Sequence, residues 1–430
     1  MSTAIFTNDT SSGQRKFHAG ESRVAALDGR AGWIAAGAAL AILTIAYGAP
    51  LISVVALKTI AAELGTSRAA PAAAGSFVYI GAGVGGIAAG WLAGRLGVRR
   101  IVLFGAVMVA AGLFVSPLSG LSHLYLGHGL LIGLFGASCM LSPLITYVSL
   151  WFERYRGAAV ALVSSGQSVA GALWPLLFEA SIGRFGWRHT MQLFGLFGLV
   201  AISLLAIVFL HAPPRPSSAT PARRVPEAGA KGVGLSPNIA MAGLMAAIFC
   251  CCVPMNMPLQ HIVAFCGDLG FASQKGAAML SVLLGSAFLA RQFWGWAADR
   301  MGGLQTLVWS SVVQAIALSG FLVTQDSVLL FTISSAFGFG LSGLLPAYVV
   351  AVREYYSAKE ASWRVPTVLF AGFLGMAVGG WGAGALYDRF GFYLPAFAVG
   401  VLFNAVNLII LLSLVLRQRG VAMRAALAPA

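Results

Sequence analysis

Long apolar segments dominate the chain and recur at nearly regular intervals. Twelve of them have about 20 residues, the length that an α-helix needs to cross a bilayer. The pattern predicts an all-α membrane protein with twelve transmembrane helices, which we number as spans 1 to 12. The apolar segments fall near residues 33–57, 72–94, 101–119, 123–148, 157–180, 190–211, 237–263, 276–298, 304–323, 327–350, 363–386 and 392–416.

Polar segments between and beyond the spans predict how the chain divides into domains. Residues 1–30 have no short apolar stretch of the kind a signal peptide carries, and we interpret them as a cytoplasmic N-terminal arm. Residues 212–236 are rich in proline and arginine, as is typical of a cytoplasmic linker. The expected domains are a six-helix bundle over residues 31–211, a second over 237–416, and a cytoplasmic tail over 417–430.

An internal repeat with an offset of 205 residues relates the two bundles. Three matches at one offset predict two homologous six-helix halves in parallel orientation, an arrangement found in alternating-access transporters. The matches are Gly90-x4-Arg95-x-Gly97 with Gly295-x4-Arg300-x-Gly302, Gly183-Arg184-Phe185-Gly186 with Asp388-Arg389-Phe390-Gly391, and Gly133 with Gly338.

The charge of the chain supports a membrane location and predicts its orientation. The sequence is 59% hydrophobic and only 9% charged, against about 25% charged in soluble domains. A net charge of +14 therefore indicates basic cytoplasmic loops rather than a nucleic-acid partner. If both termini lie on one side, that side carries 20 of the 27 basic residues and the other side six. We expect both termini in the cytoplasm and the protein in the inner (plasma) membrane.

A glycine-rich segment in span 2 resembles a nucleotide-binding motif but fails the tests of context. Residues 81–86 contain Gly-x-Gly-x-x-Gly, yet no strand precedes them and no acidic residue follows at ribose-binding distance. We expect the stripe Gly81, Gly85, Gly86, Gly90 and Gly94 to let another helix approach closely instead. No Walker sequence, nucleophile–base pair or metal cluster stands out, so we expect neither an enzyme nor a cofactor.

The segment after span 2 resembles the loop 2–3 signature of the major facilitator superfamily. That resemblance implies the major facilitator fold, and it implies that these residues bias the equilibrium between inward-facing and outward-facing states. Gly94 stands where the family usually has an aspartate, which the second copy keeps. The residues that match are Gly90, Arg95, Gly97, Arg99 and Arg100 in the first copy, and Asp299 and Arg300 in the second.

A narrower resemblance points to one branch of that superfamily. Residues 151–162 and the downstream Gly186-Trp187-Arg188 are similar to monocarboxylate porters and oxalate–formate antiporters. The resemblance implies that an arginine in span 8, here Arg291, binds the substrate carboxylate. The chain departs from the branch because Lys58, at the end of span 1, is that span's only lysine and Ala287 stands where an acid is common. A single deep cation favours a monocarboxylate over a dicarboxylate.

Arg291 is also the strongest candidate on physical grounds. A buried arginine costs roughly 2.5–3.5 kcal/mol on insertion scales, and its planar guanidinium matches a carboxylate. The alternative is an arginine that extends to the membrane interface without binding substrate. His261 is a candidate for proton coupling or an interfacial histidine, and Pro254 and Pro258 predict a break in span 7. Further candidates for the substrate site, each open to a pure packing role, are Tyr47, Tyr147, Phe288, Asn256 and Tyr348.

The sequence therefore predicts a secondary transporter that moves a small organic anion, a monocarboxylate in our interpretation, by alternating access. Proton symport and anion exchange remain open as coupling modes. Two alternatives remain: an exporter of neutral or amphipathic compounds, and a membrane sensor that binds ligand without transport. The expected partners are the substrate, the lipid bilayer and, in the symport case, protons, and we expect a monomer.

Overall fold

The computed structural model describes residues 28–211 and 234–427, and the regular elements in these ranges are helices. Most of the predicted N-terminal arm, most of the linker and the last residues of the tail lie outside the described residues. The N-terminal half contains the helices Arg30–Val55, Leu57–Glu63, Ala69–Leu96, Val98–Val115, Leu121–Tyr125, Ser138–Ser149, Arg156–Ser164 and Gly166–Phe209, with a π-helical segment at Leu126–Ala137. The C-terminal half contains the helices Pro237–Asp268, Ser273–Met301, Gly303–Val323, Ser327–Ser342, Leu344–Tyr355, Ala358–Phe390 and Leu394–Leu427.

The predicted number of spans agrees with the described helices. Ten helices are long and apolar enough to cross a membrane, and the bent helix over residues 69–96 raises the count to eleven. The run Arg156–Phe209 has 54 residues and would be about 80 Å long if straight, more than two bilayer cores. It turns back at Gly186, whose φ is 75°, and so supplies both span 5 and span 6. The predicted all-α membrane fold is confirmed.

Backbone geometry repeats with the same 205-residue offset as the sequence. Three pairs of equivalent glycines, in the loops at the ends of spans, adopt the left-handed conformation that glycine tolerates best. A further equivalence appears in the packing, because Gly133 lies against Val78 and Gly338 lies against Leu283. The left-handed pairs are Gly65 and Gly270 (φ 61° and 80°), Gly97 and Gly302 (84° and 85°), and Gly186 and Gly391 (75° and 82°).

Span 2 packs closely on span 4 through part of the predicted glycine stripe. A Cβ at Gly81 would lie 2.6 Å from the backbone of Gly129 and of Leu134, and one at Gly85 would meet Leu134 and Ser138. Gly86 and Gly94 have open space instead, so the close approach covers only the first part of the stripe. Span 4 is π-helical over Leu126–Ala137, the segment that makes this contact.

Each half has its own large buried apolar cluster, and the halves meet where span 2 packs on span 11 and span 5 on span 8. Span 7 runs as one helix, Pro237–Asp268, through Pro254 and Pro258. The predicted break in span 7 is therefore wrong. Both prolines are buried, and packing against neighbouring helices holds span 7 as one helix through them.

Candidate functional site

A cavity of about 600 Å³ lies between the two halves. Spans 1, 2, 4 and 5 line it from one side and spans 7, 8, 10 and 11 from the other. Its wall is mainly aliphatic and aromatic, and none of its described lining residues is Asp, Glu, Lys, Arg or His. The polar side chains on its wall are Tyr47, Tyr79, Trp91, Ser138, Ser142, Thr146, Gln167 and Gln260.

Arg291 lies beside this cavity and joins the two halves. Its Nη1 donates a hydrogen bond of 2.7 Å to the carbonyl oxygen of Ser164, where the helix Arg156–Ser164 ends. That carbonyl is free to accept because the helix is interrupted before Gly166. Nε is buried without a partner, and no carboxylate pairs with Arg291 among the described residues. Tyr47, which does line the cavity, lies near the guanidinium.

The internal repeat allows the position of Arg291 to be compared with the equivalent position in the N-terminal half. Its equivalent in the N-terminal half is Gly86, 205 residues earlier. Gly86 lines the cavity, and a Cβ built there would meet no atom within 4 Å. The span 8 position therefore corresponds to an open position on the opposite wall. The C-terminal half places Arg291 where the N-terminal half leaves space.

The other predicted candidates fall on different surfaces. Tyr47 lines the cavity, whereas Phe288 is half-buried outside its lining. Asn256 donates from Nδ2 to the carbonyl oxygen of Met376 at 2.7 Å, so it ties span 7 to span 11. Tyr147 donates to the carbonyl oxygen of His211 at 2.8 Å, and Tyr348 donates to Asn407 at 3.2 Å. These last three hydroxyl and amide groups are committed to contacts within their own half.

His261 is fully buried and both of its ring nitrogens are engaged. Nε2 lies 2.8 Å from the carbonyl oxygen of Gly380, so it carries the proton and donates. Nδ1 of the neutral ring then accepts from the hydroxyl of Tyr393 at 3.0 Å. The oxygen of Tyr393 in turn accepts from Nη1 of Arg68 at 3.1 Å. His261 is thus connected to a charged contact between the halves, not to the cavity wall.

That contact is a cluster of charges at one mouth of the cavity, and we call it the gate. Its members are Lys58 and Arg68 of the N-terminal half and Asp268 and Asp388 of the C-terminal half. Arg68 binds both oxygens of Asp268 through two nitrogens, at 2.5 and 2.7 Å, and Lys58 binds Asp268 at 2.8 Å. Asp388 accepts the backbone N–H groups of Arg68 and Ala69, at 2.8 and 2.9 Å, and so caps span 2 from the opposite half.

Partial burial makes the gate stronger than an ordinary surface ion pair. The side chain of Arg68 is 13% exposed, and its guanidinium lies 3.7 Å from the ring centre of Tyr387. Burial disfavours the charged form of Arg68, but the hydrogen bonds to Asp268 outweigh it and raise the pKa of Arg68. Gly384 lets the backbones approach, because a Cβ there would lie 2.7 Å from Cα of Ala69.

Sequence reasoning missed the gate because its members stand at the ends of four separate spans. The repeat offers one signal that could have found it. Asp268 is equivalent to Glu63, and Glu63 accepts from Arg188 Nε at 2.8 Å within its own half. The equivalent of Arg188 is Tyr393, which carries no charge. Asp268 therefore lacks the cation that its equivalent has, and the structure shows that it takes Arg68 and Lys58 instead.

The residues of the loop 2–3 signature lie at the other end of the cavity from the gate. Arg95 stacks 3.9 Å from the ring of Trp91, and the equivalent Arg300 stacks 4.4 Å from Trp296. Arg99 donates to the carbonyl oxygen of Leu210 at 3.0 Å and so ties this loop to the end of span 6. Gly90 lines the cavity, Gly97 and Gly302 form the sharp turns, and Arg100 and Asp299 lie in the same two segments.

Comparison with known proteins agrees with this architecture. Residues 33–322 match the sequence profile of the Major Facilitator Superfamily. MFS-type transporter 1 of Ophiocordyceps sp. (strain BCC 1869) is 25% identical over 286 residues, which cover 65% of this chain and 61% of that protein. Monocarboxylate transporter 13 of Rattus norvegicus is 26% identical over 318 residues, 72% of this chain and 71% of that transporter.

Solved structures show the same fold at lower sequence identity. A bacterial homologue of the human lysosomal transporter Spinster, in an inward-facing and occupied conformation, superimposes with a TM-score of 0.67 and 15% identity. The superposition covers 89% of this chain and 96% of that structure. The profile match covers more than half of the chain, and the described helices form two related halves around a central cavity. The chain belongs to the Major Facilitator Superfamily and is a membrane transporter, not an enzyme.

Proposed function

We propose that this transporter moves a small organic monoanion with an apolar body, and that Arg291 binds its carboxylate. The observation that carries the proposal is a guanidinium beside the cavity with no acidic partner among the described residues. A single protein hydrogen bond to Ser164 offsets little of the cost of burying a charge. A substrate carboxylate would supply the missing countercharge and form a planar, paired contact.

The remaining wall suits the rest of such a molecule. The volume of about 600 Å³ lies within the range of small-molecule sites, and the aliphatic and aromatic lining suits an apolar body. Tyr47 lines the cavity and lies near Arg291, so its hydroxyl is placed to contact the same carboxylate. Binding would neutralise Arg291 and release it from Ser164, which would loosen the contact between spans 5 and 8.

The distribution of basic residues supports an orientation for this movement. With 20 basic residues on the side of the termini and six on the gate side, we place the termini in the cytoplasm and the gate outside. In this orientation the gate closes the outer mouth, and the cavity extends towards the cytoplasm along Gly90 and Trp91. Proton symport would use His261 through its link to the gate, whereas anion exchange needs no titratable group.

Uptake into proteoliposomes tests the proposal. A panel of labelled small acids is offered to wild type, Arg291→Lys and Arg291→Ala, with and without an inward proton gradient. We expect saturable uptake of a monocarboxylate, a fall of at least about tenfold in both variants because the paired contact is lost, and no loss in Arg389→Ala. Arg389 serves as the matched control because it is an exposed arginine of the gate-side loop between spans 11 and 12.

Uptake by Arg291→Ala at the wild-type rate, in folded protein, would contradict the role of Arg291. Stimulation by the gradient would identify symport, whereas acceleration only by an acid on the opposite side would identify exchange. A second candidate is export of neutral amphipathic compounds, favoured by the absence of charged side chains from the described lining of the cavity. Uptake of neutral compounds but of no acid would favour it.

A further inference from the structure

One polar side chain at the gate-side end of the cavity has no partner and no role in the account above. Gln260 of span 7 is 4% exposed and lines the cavity. No hydrogen bond joins its amide to any described residue, so the donor and acceptor atoms of this amide are free to bind a group in the cavity. Asn256, one turn earlier, does not line the cavity, and its Nδ2 donates to the carbonyl oxygen of Met376. The cavity itself is the remaining place for the partner of Gln260.

Glycines of both halves lie against this amide and leave room for it. A Cβ at Gly75 of span 2 would lie 2.5 Å from Nε2 of Gln260, and a Cβ at Gly380 of span 11 would lie 2.8 Å from Oε1. The absence of side chains at Gly75 and Gly380 thus lets the amide lie at the junction between the halves. Because the amide is neutral and has both donor and acceptor atoms, it can bind an uncharged group that donates or accepts a hydrogen bond.

Gln260 and Arg291 lie at different depths in the membrane. Gln260 is eight residues before the gate-side end of span 7, about 12 Å by helical rise. Arg291 is 18 residues after the gate-side start of span 8, about 27 Å by the same measure. The two groups are therefore up to about 15 Å apart along the helices. Tyr47 and Tyr79, whose hydroxyls have no hydrogen-bond partner among the described residues, line the cavity together with Gln260.

We propose that Gln260 forms an uncharged subsite that selects a hydrogen-bonding group at the end of the ligand far from its carboxylate. The ligand class is then a monocarboxylate with an apolar chain and a remote hydroxyl or carbonyl oxygen. This description of the ligand rests on the proposed function, since the carboxylate contact is with Arg291. The subsite itself does not, because a neutral ligand with the same remote group would use it equally.

Paired ligands test the subsite. Binding of decanoate and 10-hydroxydecanoate is measured on the purified full-length protein, together with the neutral pair 1-decanol and 1,10-decanediol. In wild type we expect the hydroxylated member of each pair to bind about threefold to tenfold more tightly, the value of one net hydrogen bond. Gln260→Met keeps the length of the side chain and removes the amide, so the preference disappears while the unsubstituted ligands bind as before.

Controls separate this proposal from the previous one. Gln192→Leu changes an amide that does not line the cavity and should keep the preference, and Gln260→Leu replaces Gln260→Met if that variant does not fold. A wild type without preference, or a preference that survives in folded Gln260→Met, would overturn the subsite. Loss of the preference in Gln260→Met with decanoate binding unchanged in Arg291→Ala would refute the carboxylate site and leave the subsite standing.

Discussion

Glu63 is a single residue that joins three segments of the N-terminal half through its hydrogen bonds. Its carboxylate accepts from the indole of Trp187 at 2.5 Å and from Arg188 Nε at 2.8 Å. Arg188 also reaches the carbonyl oxygen of Pro117. The hydrogen bonds from Trp187 and Arg188 lower the pKa of Glu63. The end of span 1, the loop after span 3 and the start of span 6 are thereby tied together.

The lowered pKa of Glu63 predicts a pH dependence of stability. A carboxyl group with a depressed pKa stabilises the fold above its ordinary value of 4.5, and that stabilisation is lost as the pH falls below it. From about pH 7 to about pH 4, we expect wild type to lose more of its thermal stability in detergent than Glu63→Gln does. Glu153→Gln, at an exposed glutamate of loop 4–5, should follow wild type. Equal losses in wild type and Glu63→Gln would contradict the prediction.

For single residues, the sequence could predict that a side chain lies deep in the membrane but not which neighbour or cavity it faces. The apolar surroundings of Arg291 and Tyr47 predicted that both are deep, and the structure puts one beside the cavity and the other on its wall. Tyr147, Tyr348 and Asn256 also lie within apolar segments of the sequence. The direction in which each of these side chains points depends on how its helix is rotated and on partners in distant helices. A uniformly apolar span has no periodicity that would reveal that direction.

Single elements were predicted where a glycine or a polar break interrupts the apolar pattern. The repeated Gly-Arg-Phe-Gly segment marks the turn between spans 5 and 6, and Gly186 makes it. The π-helical geometry of Leu126–Ala137 had no signal in the sequence, because its side chains are as apolar as those of an α-helical span. Span 7 shows the opposite error, since its two prolines are held in a continuous helix by tertiary packing.

Gly186 provides a test of the turn between spans 5 and 6. A side chain at φ 75° is strained, and Gly186→Ala should cost about 1–2 kcal/mol of stability and lower the thermal midpoint. Gly183→Ala is the matched control, since neither site has an atom within 4 Å of a built Cβ and only Gly186 has a positive φ. Equal midpoints for the two variants would show that this backbone conformation is not required.

For the whole molecule, the prediction of two related halves rested on the 205-residue offset, and the backbone repeats it. The gate depends on how the two halves pack against each other. The sequence of either half alone does not predict that packing. Its bonds, together with Ser76 to Ala377 and Ser273 to Glu179, join the halves mainly at the gate end of the cavity. Alternating access requires these contacts to break while others form at the opposite end.

Weakening the gate should open that end. In the double variant Asp268→Asn with Asp388→Asn, the guanidinium of Arg68 loses its ion pair with Asp268, and the start of span 2 loses the charge of its cap Asp388. The outward-opened state therefore gains population. Spin labels at the exposed positions Ser67 and Gln274, one in each half, report the change by pulsed electron resonance as a longer distance. Asp326→Asn is the control, because Asp326 caps span 10 within its own half. An unchanged distance distribution in the double variant would refute the gate.

Glu63 and Asp268 also show how a duplicated scaffold acquires two states. In the N-terminal copy, Glu63 and Arg188 form an ion pair within the same half, so this pair does not depend on how the halves are arranged. In the C-terminal copy, tyrosine replaces the arginine, and the acid can be neutralised only by the neighbouring copy. The exchange of arginine for Tyr393, together with Lys58 and Arg68 in the other copy, thus makes the pairing of Asp268 depend on the relative orientation of the two halves.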